Sequence, residues 1–327
     1  MIDAGLDEAA LGPRLGPFCA ALVCVHSPET SMKGTNLYTL FDGVISRDGK
    51  RKELPAVGDS KILYTPSAGL NRLEIGVCTF LRLAGLELPT TLRSLVEALC
   101  PSEDLAAMDQ APWFAESSTL TLPIEEKNLS TIARYARDIE ARAGDIGIVF
   151  DLPSARLITA KTFNETIERL SGKGPAVREI ISFLIKCAFA AHDRTTGAAD
   201  SSPSSLHLTV DRQGGRRYYG EWLAELLPGE PIRAFEEGPT SSRYGVKKQE
   251  IEFVVGADGS CMEVALASMT AKYLRESAMR VFNRWWADRI DGIRPTAGYP
   301  RDADRFIADL DAAGALPENR TDLIRLL

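Results

Sequence analysis

Histidine is scarce in this 327-residue chain: His26, His192 and His207 are the whole supply, far apart and in no zinc-ligand spacing. A zinc enzyme or a Ser-His-Asp hydrolase therefore has little to build on. Paired cysteines are missing too. The six thiols (Cys19, Cys24, Cys78, Cys100, Cys187 and Cys261) are scattered with no Cys-x-x-Cys, mostly in apolar company, which reads as reduced core thiols and a cytoplasmic protein. No apolar run reaches the roughly 18 residues of a membrane-spanning helix, and Asp3, Asp7 and Glu8 stand where a signal peptide would be basic and then apolar. No membrane partner is expected. A global basic field is absent as well, since the net charge is −7 and the pI about 5.3. Nucleic acid, if bound, must be met by local basic patches or by metal ions that neutralise phosphates. Neither a Walker-type loop nor a Gly-x-Gly-x-x-Gly after a strand occurs.

What is present is a core-forming chain, 45% hydrophobic and 25% charged, long enough for one large domain or two smaller ones. An apolar run from Phe18 to Val25 predicts a buried strand. A charged loop over Arg47–Glu53 and a helical pattern over Ser67–Ala84, stopped by Gly85, come next. Residues 88–141 mix helical segments with the loop Ala111-Pro112-Trp113-Phe114 and read as an elaboration of the core. Strands are predicted over Ile146–Phe150 and Ala155–Thr159, then helices over Phe163–Leu170 and Ala176–Ala191. Ala191–Ser205 has the composition of a flexible surface loop. Leu206–Asp211 reads as a strand ending in an acid, Tyr218–Leu227 as a helix, and Pro231–Phe235 and Ile251–Val255 as short strands. The chain from 264 onward is mainly helical, over Val264–Trp286 and Asp302–Ala312. Alternating strands and helices indicate an α/β architecture.

The candidate chemistry lies in carboxylates. Asp7 and Glu8 sit between Gly5 and the turn formers Gly12-Pro13 and Gly16-Pro17. Neighbours in a strand point to opposite faces, so the pair can serve one site only where the strand ends or bends. It is either the start of a divalent-metal site or a solvated acidic turn. Asp211 closes its strand just before Gly214-Gly215, and open α/β sheets gather ligands at the carboxyl ends of their strands; a turn-forming Asp is the plainer alternative. Glu276 lies on a helix with a small-residue face (Ala265, Ala267, Ser268, Ala271), where a solvated residue paired with Arg280 is the ordinary expectation.

Taken together, these segments resemble the type 2 ribonucleases H (ribonuclease HII). Gly5-Leu6-Asp7-Glu8-Ala9 with its Gly-Pro turns resembles the family's opening motif, and Asp59-Ser60-Lys61 its Asp-Ser-Lys element. Val210-Asp211 resembles the strand-terminal Asp. Ala257-Asp258 with Ala265–Lys272 and Arg275-Glu276 resembles the long Ala-Ser-x-x-Ala-Lys helix, and Gly298-Tyr299-Pro300 with Asp302 the Gly-Tyr-Pro turn. The resemblance implies one ribonuclease H-like domain over 1–327: a central mixed sheet flanked by helices, an inserted segment at 88–141 and a helical C-terminal part at 264–327. It implies that Asp7, Glu8, Asp211 and Glu276 are catalytic and bind two divalent cations, Mg2+ or Mn2+, acting on RNA/DNA hybrids or on DNA containing ribonucleotides. Ala10, Leu11, Gly12, Ser60, Lys61 and Tyr299 fall at substrate-binding positions.

Two departures bear on activity. Where the family has Gly-Arg-Gly to read the ribose and the scissile phosphate, this chain has Ala10-Leu11-Gly12, without the charge-assisted contact an Arg would give. Glu276 replaces the usual Asp, and one methylene moves a carboxylate by about an ångström. Arg212, Arg216 and Arg217 after Asp211 read as a phosphate-tracking rim or as a solvated basic face. Trp285 and Trp286 are expected to pack the core. Metal-dependent endonuclease action is the leading expectation; the alternative is a ribonuclease H-fold protein that binds nucleic acid or another protein without turnover.

Overall fold

Alternation shapes the first strand, β1 (Ile2–Ala9): Ile2, Ala4 and Leu6 enter one apolar core, while Asp3, Gly5 and Asp7 take the opposite face. The next strand, β2 (Phe18–His26), is buried on both faces. The computed structural model describes residues 1–28, 36–64, 69–196 and 205–326. Among them, eight strands form one sheet in the order β5-β2-β1-β7-β10-β9-β8, with β6 also on β2. Here β5 is Val149–Phe150, β6 Ser154–Ile158, β7 Leu206–Asp211, β8 Ile232–Glu237, β9 Ser241–Val246 and β10 Gln249–Val254, while β3 (Thr90–Thr91) and β4 (Thr121–Leu122) pair separately. β1, β7 and β10 run parallel, and the remaining pairs are antiparallel. The result is a mixed sheet whose three parallel strands end along one edge.

Helices cover both faces. Beneath Leu6 and Val210 lie α7 (Ala160–Leu170), α8 (Lys173–Thr196) and α9 (Gly220–Leu226), with Phe163, Ile181, Leu184 and Leu223 in the core. The other face receives the short α1 (Leu37–Leu40) and α2 (Ser60–Leu63), then α3 (Asn71–Leu83), α4 (Leu92–Leu99), α5 (Ser102–Gln110), α6 (Asn128–Ile146), the long α10 (Met262–Ala287) and α11 (Pro300–Ala312). α10 crosses β1 at Gly5, where a Cβ would stand 2.2 Å from the backbone of Glu263 and Val264. Only glycine permits that approach. The helix thus lies flat on the sheet, with Ser268 beside Asp7.

The expected mixed sheet flanked by helices is present, and the chain from 264 onward is mainly helical, in α10 and α11. Several local expectations change. Asp7 and Glu8 lie inside a central strand instead of a turn ahead of one, because β1 pairs with β2 through Ala9↔Cys19. The strand expected over 146–150 shrinks to Val149–Phe150, since α6 runs through Ile146 and is stopped by left-handed Gly147. Of the expected loop Ala111–Phe114, Pro112–Phe114 is a 3-10 turn, with Trp113 and Phe114 buried. β9 went unanticipated: its hairpin turns at Lys247, a non-glycine at φ 56°, with none of the usual Asn-Gly signal. Residues 191–196 of the expected loop continue α8, and 197–204, like 67–68 of the helical pattern, lie outside the described residues. All six cysteines are free thiols, and no helix among the described residues is long and apolar enough to cross a membrane.

Candidate active site

The parallel register explains how distant acids meet. Leu6 pairs with Val210, and Asp211 pairs with Val254, so Asp7 and Asp211 follow Leu6 and Val210 at the carboxyl ends of adjacent strands. By alternation both point to the α10 face, and Glu8 to the other. The three acids are nonetheless electrostatic neighbours. Burial raises the Asp7 carboxyl well above the usual carboxylate range, and Glu8 and Asp211 push it the same way. Glu8 is pushed up to about 7, by burial first and Asp211 second. Asp211 is raised by burial and by Asp258, against the backbone N–H of Ala257, which donates to its Oδ1 at 2.8 Å.

The surroundings hold these groups in place. The N–H of Glu8 donates to Asp7 Oδ1 at 2.7 Å. Ser268, beside Asp7, acts against the rise of that carboxyl, and its hydroxyl lies 3.1 Å from the buried Ser60 hydroxyl. Asp59 caps α2 (Ser60–Leu63) by accepting from the Lys61 N–H at 2.8 Å. Desolvation lowers the ammonium of Lys61, but Asp258, Asp59, Asp7 and Asp211 together outweigh it and raise it. It is thus a cation facing the acid group. Asp258, 6% exposed, joins the group unexpectedly; the Ala257-Asp258 motif was visible in the sequence, but nothing in its spacing gave it a role.

Glu276 is placed differently. Its Oε1 accepts from Arg275 at 2.7 Å and its Oε2 from Tyr64 Oη at 2.9 Å. This corrects the expected pairing with Arg280: successive helix residues meet here because the buried Arg275 also donates to the Ala297 carbonyl at 2.6 Å. Lys272 lies 5.1 Å over the Tyr64 ring, and burial lowers its ammonium, with Lys61 repelling it and Glu276 holding it up. Lys61 and Lys272 are thus electrostatic neighbours. Tyr299 is half exposed, its ring 5.5 Å from the Arg275 guanidinium.

The loop after the acid pair is fixed from behind. Ala10 holds φ at 72°, a left-handed conformation costly for a residue with a Cβ. Arg325, 2% exposed, donates to the carbonyl of Ala10 at 2.7 Å. The Gly298 carbonyl accepts from the N–H groups of Arg14 and Leu15, tying this loop to the turn that carries Tyr299. Gly12 has open space around it. Arg212 does not belong to a rim: it is buried, and its guanidinium binds the Gly238 and Pro239 carbonyls and the Ser242 hydroxyl.

Beside Glu276 opens a groove of about 710 Å3, lined by Tyr64, Glu276, Arg280, Arg284, Glu116 and Thr119. The last two bring the 88–141 segment to the site. Trp113 anchors that segment on α10, stacked 6.3 Å from Trp286 and edge-on to Trp285 and Phe282.

Hard oxygen donors, mutual repulsion and the buried, unpartnered Oε2 of Glu8 suit a divalent cation in chemical type. Among the described residues, no three His, Cys, Asp or Glu side chains are grouped closely enough to hold an ion as they stand. Asp7, Glu8 and Asp211 are neighbours through their fields, and Glu276 is bound to Arg275 and Tyr64.

An α/β protein with buried acids at the ends of parallel strands is the class these features define. In fold the chain is similar to solved ribonucleases HII and HIII. It is 13% identical to ribonuclease HII of Archaeoglobus fulgidus, solved in a complex with PCNA, covering 100% of this chain and 94% of that one at a TM-score of 0.41. Similarity to ribonuclease H2 of Pyrococcus horikoshii OT3 is at 15% identity, 99% and 92% coverage and a TM-score of 0.37. Bst-RNase HIII in complex with Mn2+ matches at 12% identity, 99% and 66% coverage and a TM-score of 0.37. No family model matches the chain, and no curated protein does.

Proposed function

We propose that this chain is a divalent-metal-dependent endonuclease of ribonuclease H type, hydrolysing RNA in RNA/DNA hybrids or at ribonucleotides embedded in DNA. The reading is supported by Asp7 and Asp211 at the carboxyl ends of two adjacent parallel strands, with Glu8 next in the chain, each acid raised by burial and by its neighbours. Such a cluster is costly in a metal-free protein and is relieved by a cation. Asp7, Glu8 and Asp211 would hold Mg2+ or Mn2+, with Glu276 the fourth proposed ligand. Two such ions supply charge stabilisation for the attacking and leaving oxygens of phosphodiester hydrolysis.

The remaining residues do what their positions allow. Lys61 offers a positive charge to a phosphate oxygen beside the acids, and Ser60 fixes Ser268 beside Asp7. Tyr299 presents an exposed ring for a sugar or base, next to the Ala10–Gly12 loop that Arg325 holds. A second reading, binding without turnover, is favoured by one contact pair: Glu276 engaged by Arg275 and Tyr64.

Incubation of the purified protein with Mg2+ or Mn2+ and a duplex bearing one ribonucleotide separates the two. Cleavage at the ribonucleotide, lost in Asp7→Asn, is expected. No cleavage by the parent chain, or equal cleavage by the variant, overturns the enzyme reading; binding without cleavage supports the second.

A further inference from the structure

A loop of eight residues joins β7 to α9 and turns at left-handed Gly214. Its two solvent-facing guanidiniums, Arg216 and Arg217, are exposed, yet their backbone is fixed. Tyr219 Oη donates to the Arg216 carbonyl at 3.2 Å, and the Ser242 hydroxyl donates to the Arg217 carbonyl at 2.7 Å. Tyr219 is itself buried, stacked flat on Phe253 at 3.7 Å, and its N–H donates to Tyr244 Oη. The Arg216 guanidinium stays 6.0 Å from the Tyr219 ring, and Tyr218 beside it is 67% exposed.

A third guanidinium approaches from α8. Trp222 on α9 donates to the Ser182 hydroxyl at 2.8 Å, and Arg178 lies one turn before Ser182 on the same helix face. Burial and the charge of Arg216 lower the Arg178 guanidinium, with Glu225 opposing them. None of Arg178, Arg216 and Arg217 makes an ion pair within 4.0 Å among the described residues. The patch adjoins Asp211 along the chain, because its loop leaves β7 directly after that acid.

Like charges on a fixed scaffold, none of them held in an ion pair among the described residues, await a polyanion. We infer that Arg178, Arg216 and Arg217 form a docking track for the phosphate backbone of a nucleic-acid duplex, extending from the Asp211 end of β7. The inference rests on the proposed nuclease reading for its choice of partner. In a chain of net charge −7, such contact has to be local. The track revises the rim expected after Asp211: Arg212 leaves it for a structural role, and Arg178 enters from a helix distant in sequence.

Fluorescence anisotropy of a labelled RNA/DNA hybrid, in EDTA and across a salt series, tests it. Each phosphate contact contributes about 0.9 to the slope of log affinity against log salt. Replacing Arg178, Arg216 and Arg217 together by Ala is expected to lower that slope by about two to three. The matching triple Lys variant keeps the charges and should keep the slope, with the thermal midpoint unchanged in both. An unaltered slope in the Ala variant, or no hybrid binding by the parent chain, overturns the track. A lowered slope in a protein that cleaves no duplex supports the track and removes the nuclease reading; cleavage with an unaltered slope does the reverse.

Discussion

Ala10 shows how much a single position can disclose. Its φ of 72° costs an alanine about 1–2 kcal/mol that a glycine would be spared, so Ala10→Gly should stabilise the chain by about 0.5–1 kcal/mol after the entropy of the added glycine. Urea unfolding checks this, and a lower midpoint in the variant contradicts it. The strain is retained because Arg325 grips the Ala10 carbonyl from behind. Glu263 makes a second residue-scale prediction. Burial, with Asp3 adding to it and His207 opposing, raises this carboxyl from 4.5 to about 7. The folded state therefore holds a proton that the unfolded chain releases near 4.5. Its contribution is intact below that pH and is lost as pH rises to about 7, a swing on the order of 3 kcal/mol. His207, raised by Asp3, acts in the same sense. Stability should fall over this range, and Glu263→Gln should flatten the fall; an equal slope in parent and variant contradicts the assignment.

Elements succeed or fail by how tightly they pack. Gly5→Ala would drive a methyl into the backbone where α10 crosses β1, and a loss of about 3 kcal/mol or more is expected by chemical denaturation. A cost under about 1 kcal/mol would show that the helix can lift away. Trp113→Ala should cost about 3–5 kcal/mol, since the ring anchors the 88–141 segment on Trp286 and Phe282; a near-neutral result would leave that segment without its anchor. Elements with strong patterns were legible beforehand. β2, β7, α10 and the burial of Trp286 follow from apolar runs, a terminal acid followed by glycines, and small-residue spacing. β9 was not, because a lysine makes its turn, and the 146–150 strand was overdrawn because α6 took its first residues.

At the scale of the molecule, topology does what local sequence cannot. Asp7 and Asp211 are 204 positions apart and become neighbours only because β1 and β7 run in parallel with Leu6 opposite Val210. The opening motif and the strand-terminal acid could be read from the chain; the entry of Asp258 and the capture of Glu276 by Tyr64 and Arg275 could not, since they depend on which loops meet. The sheet thus brings Asp7 and Asp211 to neighbouring strand ends, where both act on the charge of Lys61. The central claim is that Asp7, Glu8 and Asp211 act as one cation site. Titration of Mn2+ by electron paramagnetic resonance, comparing the parent chain with Asp7→Asn and Asp211→Asn, tests it most directly. Saturable binding that weakens at least tenfold in each variant is predicted, in line with the loss of a ligand of a shared ion. Absence of binding, or undiminished binding in both variants, would contradict it.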